Sequence, residues 1–352
     1  MQLPAHTDIS DSLSDYEVPA FRLISKQLGQ VRDLINNQLP NRVSDLAERN
    51  WSGQKRSAED INQLFEYVRS RSGKMLRPGL VLLAGRCCGN LTDEHIRVAA
   101  MVEMIHDATL LHDDVIDQGQ RRRGKPTINS LWGNDSAVLM GDFLLSRVFK
   151  LCAEIKPELI KVIAAAAVRL CEGELKQIMQ KQYWQLSEPE YIEVITEKSA
   201  VLFSSCCSIG AILAQVSESQ VQSLSEFGLN AGIAFQITDD LLDIVGNEKE
   251  TGKTSGNDLK QCKLTLAVIH LLRTVDIKEK HAVVNSYLEG SKSKNDRIRF
   301  SEVLNRSGSL EYAHSRAQEF VGKAVKALDG FKECRAKNAL IETARFMANR
   351  AV

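Results

Sequence analysis

Proline is scarce in this chain, with seven in 352 residues. A proline inside a helix costs roughly 3 kcal/mol, so this scarcity leaves long helices open. An excess of charge of either sign is also missing: Lys+Arg and Asp+Glu each total 45. Nothing global therefore calls for nucleic acid or an anionic membrane as partner, and any anion-binding surface must be local. No run approaches the ~20 apolar residues of a spanning helix. The eight cysteines are scattered, with no CxxC or Cys/His spacing, which argues against zinc and for buried free thiols. No GxxxxGK[ST] loop is present, which disfavours ordinary nucleotide hydrolysis. Residues 1–20 are Ser- and Asp-rich without an apolar core, unlike a secretory signal or an Arg-rich transit peptide. They read as a mobile leader before a single helical domain over 21–352, and a cytoplasmic location is expected.

What is present is helical. From His95 to Gln118 no breaker occurs, and Ala, Met, Leu, Ile and Val recur on several faces, as in a helix buried on more than one side. Alternating β-branched runs bounded by turn pairs are nearly absent. The expected fold is all-α, one large helical bundle. Gly73, Gly89–Asn90, the stretch 119–126, Gly173, Pro189 and the loop 246–258 mark the expected helix ends.

Two acidic clusters stand out. Leu-Leu-His-Asp-Asp-Val-Ile-Asp at 110–117 is echoed by Gln-Ile-Thr-Asp-Asp-Leu-Leu-Asp at 236–243. Residues four apart share a helix face, so Asp113 aligns with Asp117 and Asp239 with Asp243. Asp114 and Asp240 lie beside them. Like charges at that spacing in apolar helices need compensation. A hard divalent cation such as Mg²⁺ supplies it, taking oxygen ligands and sharing itself with substrate phosphates. Neither cluster has the loop spacing of an EF-hand. His106, two turns before Asp113, points toward the same stripe.

Basic residues narrow the chemistry. Gly73-Lys74-Met75-Leu76-Arg77-Pro78 places Lys74 and Arg77 at an expected helix start, a ready diphosphate site. Arg121-Arg122-Arg123-Gly124-Lys125 follows the first acidic helix directly, where a metal-bridged polyanion would sit. Lys249, Lys253, Lys260 and Lys263 follow the second cluster, with Lys253 directly after Gly252.

Taken in order, GKMLRP (73–78), LLHDDVID (110–117), RRRGKPT (121–127), GDFLLS (141–146), FQITDDLLD (235–243) and GKTSGNDLKQCKLTL (252–266) resemble the trans-type isoprenyl diphosphate synthases. The resemblance spans about residues 25–350. It implies a single all-α bundle around a deep apolar cavity, generally dimeric. It implies that Asp113, Asp117 and Asp239 ligate Mg²⁺, three ions with substrate bound, and that Asp114, Asp240 and Asp243 support them. By the same resemblance Lys74, Arg77, His106 and Arg123 hold the diphosphate of isopentenyl diphosphate. Arg122, Lys198, Gln236, Lys253 and Lys263 contact the allylic diphosphate (farnesyl or geranylgeranyl), with Ser199 completing the family's Lys-Thr or Lys-Ser step. Two departures flank Lys263: Cys262 where the family usually has Gly, and Ala267 where it usually has Pro.

In this family bulky residues just before the first cluster shorten the product. Here Ala108 and Thr109 stand there, about 6–8 Å along the helix from Asp113, with Thr109 aligned to Asp113 and Ala108 turned aside. Long-chain products of the octaprenyl or nonaprenyl type used for quinone tails are expected. The alternatives are a shorter-chain farnesyl or geranylgeranyl synthase, a noncatalytic subunit of a heteromeric synthase, and a class I terpene cyclase. The second should have lost aspartates, and the third would not need a second diphosphate site.

Overall fold

The computed structural model describes residues 18–41, 55–70, 73–179, 185–245, 263–275 and 294–349. The fold is all-α, as expected. After a 3-10 turn, Pro19–Ile24, come α1 (Ser25–Gln38), α2 (Lys55–Arg69), α3 (Leu76–Cys88) and α4 (Asp93–Ile116). A short β-hairpin follows, β1 (Arg121–Arg122) with β2 (Lys125–Pro126), then α5 (Ile128–Trp132), α6 (Asn134–Cys152) and α7 (Pro157–Met179). Next, α8 (Glu188–Ile195) runs through a π-helical turn, Thr196–Ala200, into α9 (Val201–Leu213). The chain closes with α10 (Glu218–Val245), α11 (Leu266–Thr274), α12 (Lys294–Arg306), α13 (Ser309–Ala327) and α14 (Arg335–Ala348).

α10 packs against α9 and α13, α3 against α9, and α4 against α6. One continuous apolar core joins these helices from Val18 to Ala348. Residues 1–17 lie outside the described residues, and Val18 and Ala20, inside the expected leader, are already buried in that core. No described helix is long and apolar enough to cross a membrane. The cysteines described are free: Cys206 and Cys207 are buried, whereas Cys171 is exposed, against the expectation of burial.

Local sequence explains the helix limits that matter here. α4 opens with a capping box, Thr92 and His95 bonding reciprocally across the first turn. Its uninterrupted apolar run carries it to the first acidic cluster. α8 opens with a second box, Ser187 and Glu190. α3 begins at Leu76, after Met75 in the left-handed region (φ 53°). Arg77 is thus already helical and Pro78 stands third in the helix, where a missing N–H is harmless. Gly173 does not end a helix. It lies inside α7, where an added Cβ would stand 2.5 Å from the backbone nitrogen of Lys198. The glycine allows α7 to touch the π turn.

Candidate active site

The first aspartate cluster occupies the last turn of α4. Asp114 is 2% exposed, and its Oδ1 accepts a 2.7 Å hydrogen bond from Arg122 Nε. Its carbonyl accepts from Asn129 Nδ2 at 3.1 Å. Asp114 is therefore turned into the protein. Asp113 is half-buried, and burial followed by repulsion from Glu174 pushes its carboxyl up to about 6, against the pull of Lys198 and Arg122. Asp117 closes the helix, its N–H bonding the Asp113 carbonyl. Its Oδ2 lies 3.6 Å from Lys263 Nζ, so Lys263 reaches the site despite its unusual neighbours. Of these, Ala267 is buried in α11, and Cys262, like Lys253, lies outside the described residues.

The basic run after α4 is split by the hairpin. Arg121 faces Pro126 and Arg122 faces Lys125 across it, and Arg123 (φ 52°) and Gly124 (φ 74°) make the turn. Two central residues with positive φ give the turn whose twist suits a two-residue hairpin. Arg122 points in to Asp114. The Arg123 guanidinium lies against Gly73, where an added Cβ would be 2.6 Å from Nη1. Arg121 and Lys125 stay outside: Arg121 bonds the Gly124 carbonyl, and Lys125 bonds the Ser70 carbonyl at the end of α2. Tyr67 also holds the hairpin, donating to the Pro126 carbonyl at 2.5 Å.

Beside Arg123 is the Gly73–Pro78 segment. Lys74 Nζ stands 5.2 Å from the Phe346 ring. Arg77 is buried with its guanidinium 4.4 Å from the centre of the Phe203 ring, and burial lowers its pKa from the usual value. Within its electrostatic reach are Glu103, Arg123 and Asp107. His106 is half-buried on the same helix as Glu103 and Asp107. Of the two residues expected to set product length, Ala108 is 0% exposed. Thr109 keeps partial exposure, with its hydroxyl on the His106 carbonyl at 2.8 Å.

The second cluster, Asp239, Asp240 and Asp243, is half-buried on α10. Asp240 is held at both oxygens, Oδ1 accepting from Gln236 Nε2 at 2.8 Å and Oδ2 from the Tyr191 hydroxyl at 2.6 Å. Gln236 Oε1 in turn accepts from Ser199 Oγ at 2.7 Å. Ser199 and Lys198 sit in the π turn, a distortion found often at functional sites. Lys198 Nζ lies 2.8 Å from Glu174 Oε1 and 2.8 Å from Gln177 Oε1, and it lowers the pKa of Asp113. The Lys198–Ser199 step thus lies between the two clusters, one side chain within electrostatic reach of Asp113 and the other tied to Asp240 through Gln236.

Among the described residues no three Asp, Glu, His or Cys side chains converge to cage a metal. Burial, and after it the neighbouring Glu174 carboxylate, raise the pKa of Asp113, and a cation beside it would oppose both.

The family model for polyprenyl synthetase matches residues 58–304. The chain belongs to the polyprenyl synthetase family. As a polyprenyl synthetase it is a prenyltransferase. It is similar to octaprenyl diphosphate synthase of Escherichia coli K12, 35% identical over 291 residues, 82% of this chain and 90% of the relative. A short chain isoprenyl diphosphate synthase of Methanothermobacter thermautotrophicus is 33% identical over 297 residues, 83% of this chain and 91% of its own length. Among solved structures, a polyprenyl synthase from Caulobacter crescentus, complexed with calcium and isoprenyl diphosphate, superposes with a TM-score of 0.85 at 33% identity. It covers 94% of this chain and 97% of its own.

Several residues of this polyprenyl synthetase site escape a reading of the sequence. Tyr191 stands in a helix of ordinary apolar pattern, and Gln177 and Glu174 pass as surface of α7. Glu103 did leave a signal: a lone carboxylate within the apolar run of α4.

Proposed function

We propose that the protein condenses isopentenyl diphosphate head-to-tail onto an allylic diphosphate in a magnesium-dependent reaction, making a long-chain polyprenyl diphosphate. One observation supports this above the others. Lys198 lies within electrostatic reach of the first aspartate cluster and its neighbour Ser199 is linked to the second, while Arg77 and Arg123 form a separate cationic site near Gly73. Two anion sites of different make-up suit two diphosphate substrates, one ionised and the other not.

In this reading Asp113, Asp117 and Asp239 hold the ions, three when substrate is bound, and Asp114, Asp240 and Asp243 support them. When bound, magnesium offsets charge on the departing diphosphate. Lys198, Lys263 and Arg122 add fixed positive charge on the allylic side, joined by Lys253 from outside the described residues. Such preorganised charge stabilises a leaving anion at no reorganisation cost during the reaction. The Gln236 amide, its oxygen toward Ser199 and its nitrogen on Asp240, presents a fixed dipole to the allylic cation. Lys74, Arg77, His106 and Arg123 hold isopentenyl diphosphate so that its double bond meets that cation. The proton then lost passes to the departed diphosphate, and no dedicated protein base is required.

The absence of bulk at Ala108 and Thr109 supports a long product, as does similarity to an octaprenyl synthase. A short-chain synthase is the second reading, because a short-chain relative is nearly as similar. A noncatalytic subunit is disfavoured by the six retained aspartates. A terpene cyclase is disfavoured by the second cationic site.

The protein acts in this reading as a homodimer. α6 exposes Val138, Leu139 and Phe149, and α7 exposes Val168, Leu175, Ile178 and Met179, with Phe149 at 71% and Met179 at 84%. Such large apolar side chains left exposed along each of these helices suit burial against a partner. A monomer by analytical ultracentrifugation would refute the dimer. The condensation is tested with purified protein, Mg²⁺, farnesyl diphosphate and labelled isopentenyl diphosphate. A folded protein that incorporates no label is not a synthase, and the ladder of products reads the chain length.

A further inference from the structure

Glu103 has no part in the condensation chemistry, yet it is a carboxyl in the interior, 3% exposed. Its Oε2 finds no hydrogen-bond partner among the described residues, and neither does the buried Nε of Arg77. Leaving such groups unsatisfied is costly, the more so where they carry charge. The groups within electrostatic reach of Glu103 come from every side. Arg77 belongs to α3, Arg123 to the hairpin turn and Asp107 to the next turn of α4. From α9 the Cys206 thiol interacts with both Glu103 and Arg77. Arg77 and Arg123 are also two of the cations assigned to isopentenyl diphosphate, and the role inferred for Glu103 rests on that assignment.

We propose that Glu103 is the counter-ion of the empty isopentenyl diphosphate site and gives up that role by taking a proton when the diphosphate binds. The charges suggest the exchange. With the site empty, the guanidiniums of Arg77 and Arg123 are balanced by the carboxylates of Glu103 and Asp107. A diphosphate brings its own negative charge to the same guanidiniums and leaves two carboxylates beside an anion in a poorly solvated site. Glu103 is the deeper of the two. Burial and Asp107 already bring its pKa up to about 7, and a neighbouring anion raises it further. The step is a carboxylate plus one proton from buffer giving a carboxylic acid, which can then donate a hydrogen bond where the carboxylate could only accept.

The sign of the pH dependence is set by linkage. Below about 7 Glu103 already carries the proton in the empty site, and binding gains nothing more from acid. Above it the proton must be taken up, so affinity falls by up to about tenfold per pH unit until the pKa of the bound form is reached.

The test is calorimetric titration of isopentenyl diphosphate into the full-length chain, without Mg²⁺, at about pH 8 in two buffers of different ionisation enthalpy. Protonation of the ligand itself is common to all variants and cancels between them. Wild type is expected to take up roughly one proton more than Glu103→Gln. The variant should bind up to about tenfold tighter at that pH, with the gap closing at about pH 6. Glu103→Met, an apolar side chain of similar volume, repeats the comparison should the glutamine variant fail to fold. Equal proton uptake by wild type and a folded variant overturns the proposal and leaves the binding site standing. Failure of wild type to bind isopentenyl diphosphate at all removes the site and the proposal together.

Discussion

Replacing Tyr191 by phenylalanine removes one oxygen from a side chain that is 4% exposed and leaves the ring to fill the same volume. The oxygen removed is the donor 2.6 Å from Asp240 Oδ2. A buried hydrogen bond to a charged acceptor is worth about 1.5–3 kcal/mol. Asp240 keeps Gln236 Nε2 at 2.8 Å and gains freedom to turn about that contact. Asp239 and Asp243 flank it on the same helix, so the loss is felt by the second cluster. At about 1.4 kcal/mol per factor of ten, kcat should fall roughly 10- to 100-fold, the range found when groups supporting metal ligands are removed. The magnesium concentration for half-maximal rate should rise. KM for isopentenyl diphosphate should stay within about twofold, because Arg77 and Arg123 lie on other elements. Steady-state incorporation of labelled isopentenyl diphosphate across a magnesium titration measures all three quantities, and a circular dichroism melt checks the fold. If kcat and the magnesium requirement both stay within about twofold of wild type, the phenol does not position Asp240. A change confined to KM for isopentenyl diphosphate would place Tyr191 in the wrong site.

Thr109→Phe should shorten the product ladder at nearly unchanged melting temperature. Ala108→Phe, at a position 0% exposed, should shorten the ladder too, and by overpacking the core it should cost about 1–3 kcal/mol and lower the melting temperature. A Thr109→Phe ladder identical to wild type would remove Thr109 from the cavity wall. Gly173→Ala places a Cβ 2.5 Å from Lys198 N, and should raise KM for the allylic diphosphate and destabilise the fold by about 1–3 kcal/mol; kinetics with each substrate varied in turn will show it. Glu103 titrates near 4.5 when unfolded and about 7 when folded, so the folded chain binds the extra proton between those values and loses stability as pH rises through them. The drop is on the order of 3 kcal/mol across that window. Glu103→Gln should flatten it in urea melts at stepped pH, and an unflattened slope would mean that other groups cause it.

The acidic clusters were legible in the sequence because helical spacing and an apolar setting define them without reference to the rest of the chain. α4 was legible for the same reason, its breaker-free run ending where the aspartates begin. The hairpin was not, since two strands of two residues are too short to show alternation. For that reason the cationic run 121–125 read as one feature, although the turn sends Arg122 inward to Asp114, lays the exposed Arg123 against Gly73 and leaves Arg121 and Lys125 outside. Gly173 read as a helix end because a glycine weakens an isolated helix. Its use is tertiary, an approach to the Lys198 backbone that no local pattern records. Tyr191 was silent on the same grounds: its partner Asp240 is 49 residues away in the chain.

The π turn between α8 and α9 has one more consequence. A π turn is a helix carrying one residue beyond its α-helical count. Deleting a single residue from Thr196–Ala200 would let α8, the turn and α9 run as one regular helix, locally a better one. That same deletion would rotate everything before it by about 100° relative to everything after it. Tyr191 could then no longer face Asp240 while Phe203 lies under Arg77. The extra residue acts as a phase setting: it aims Tyr191 at the second aspartate cluster and, further along the same helical run, Phe203 at Arg77.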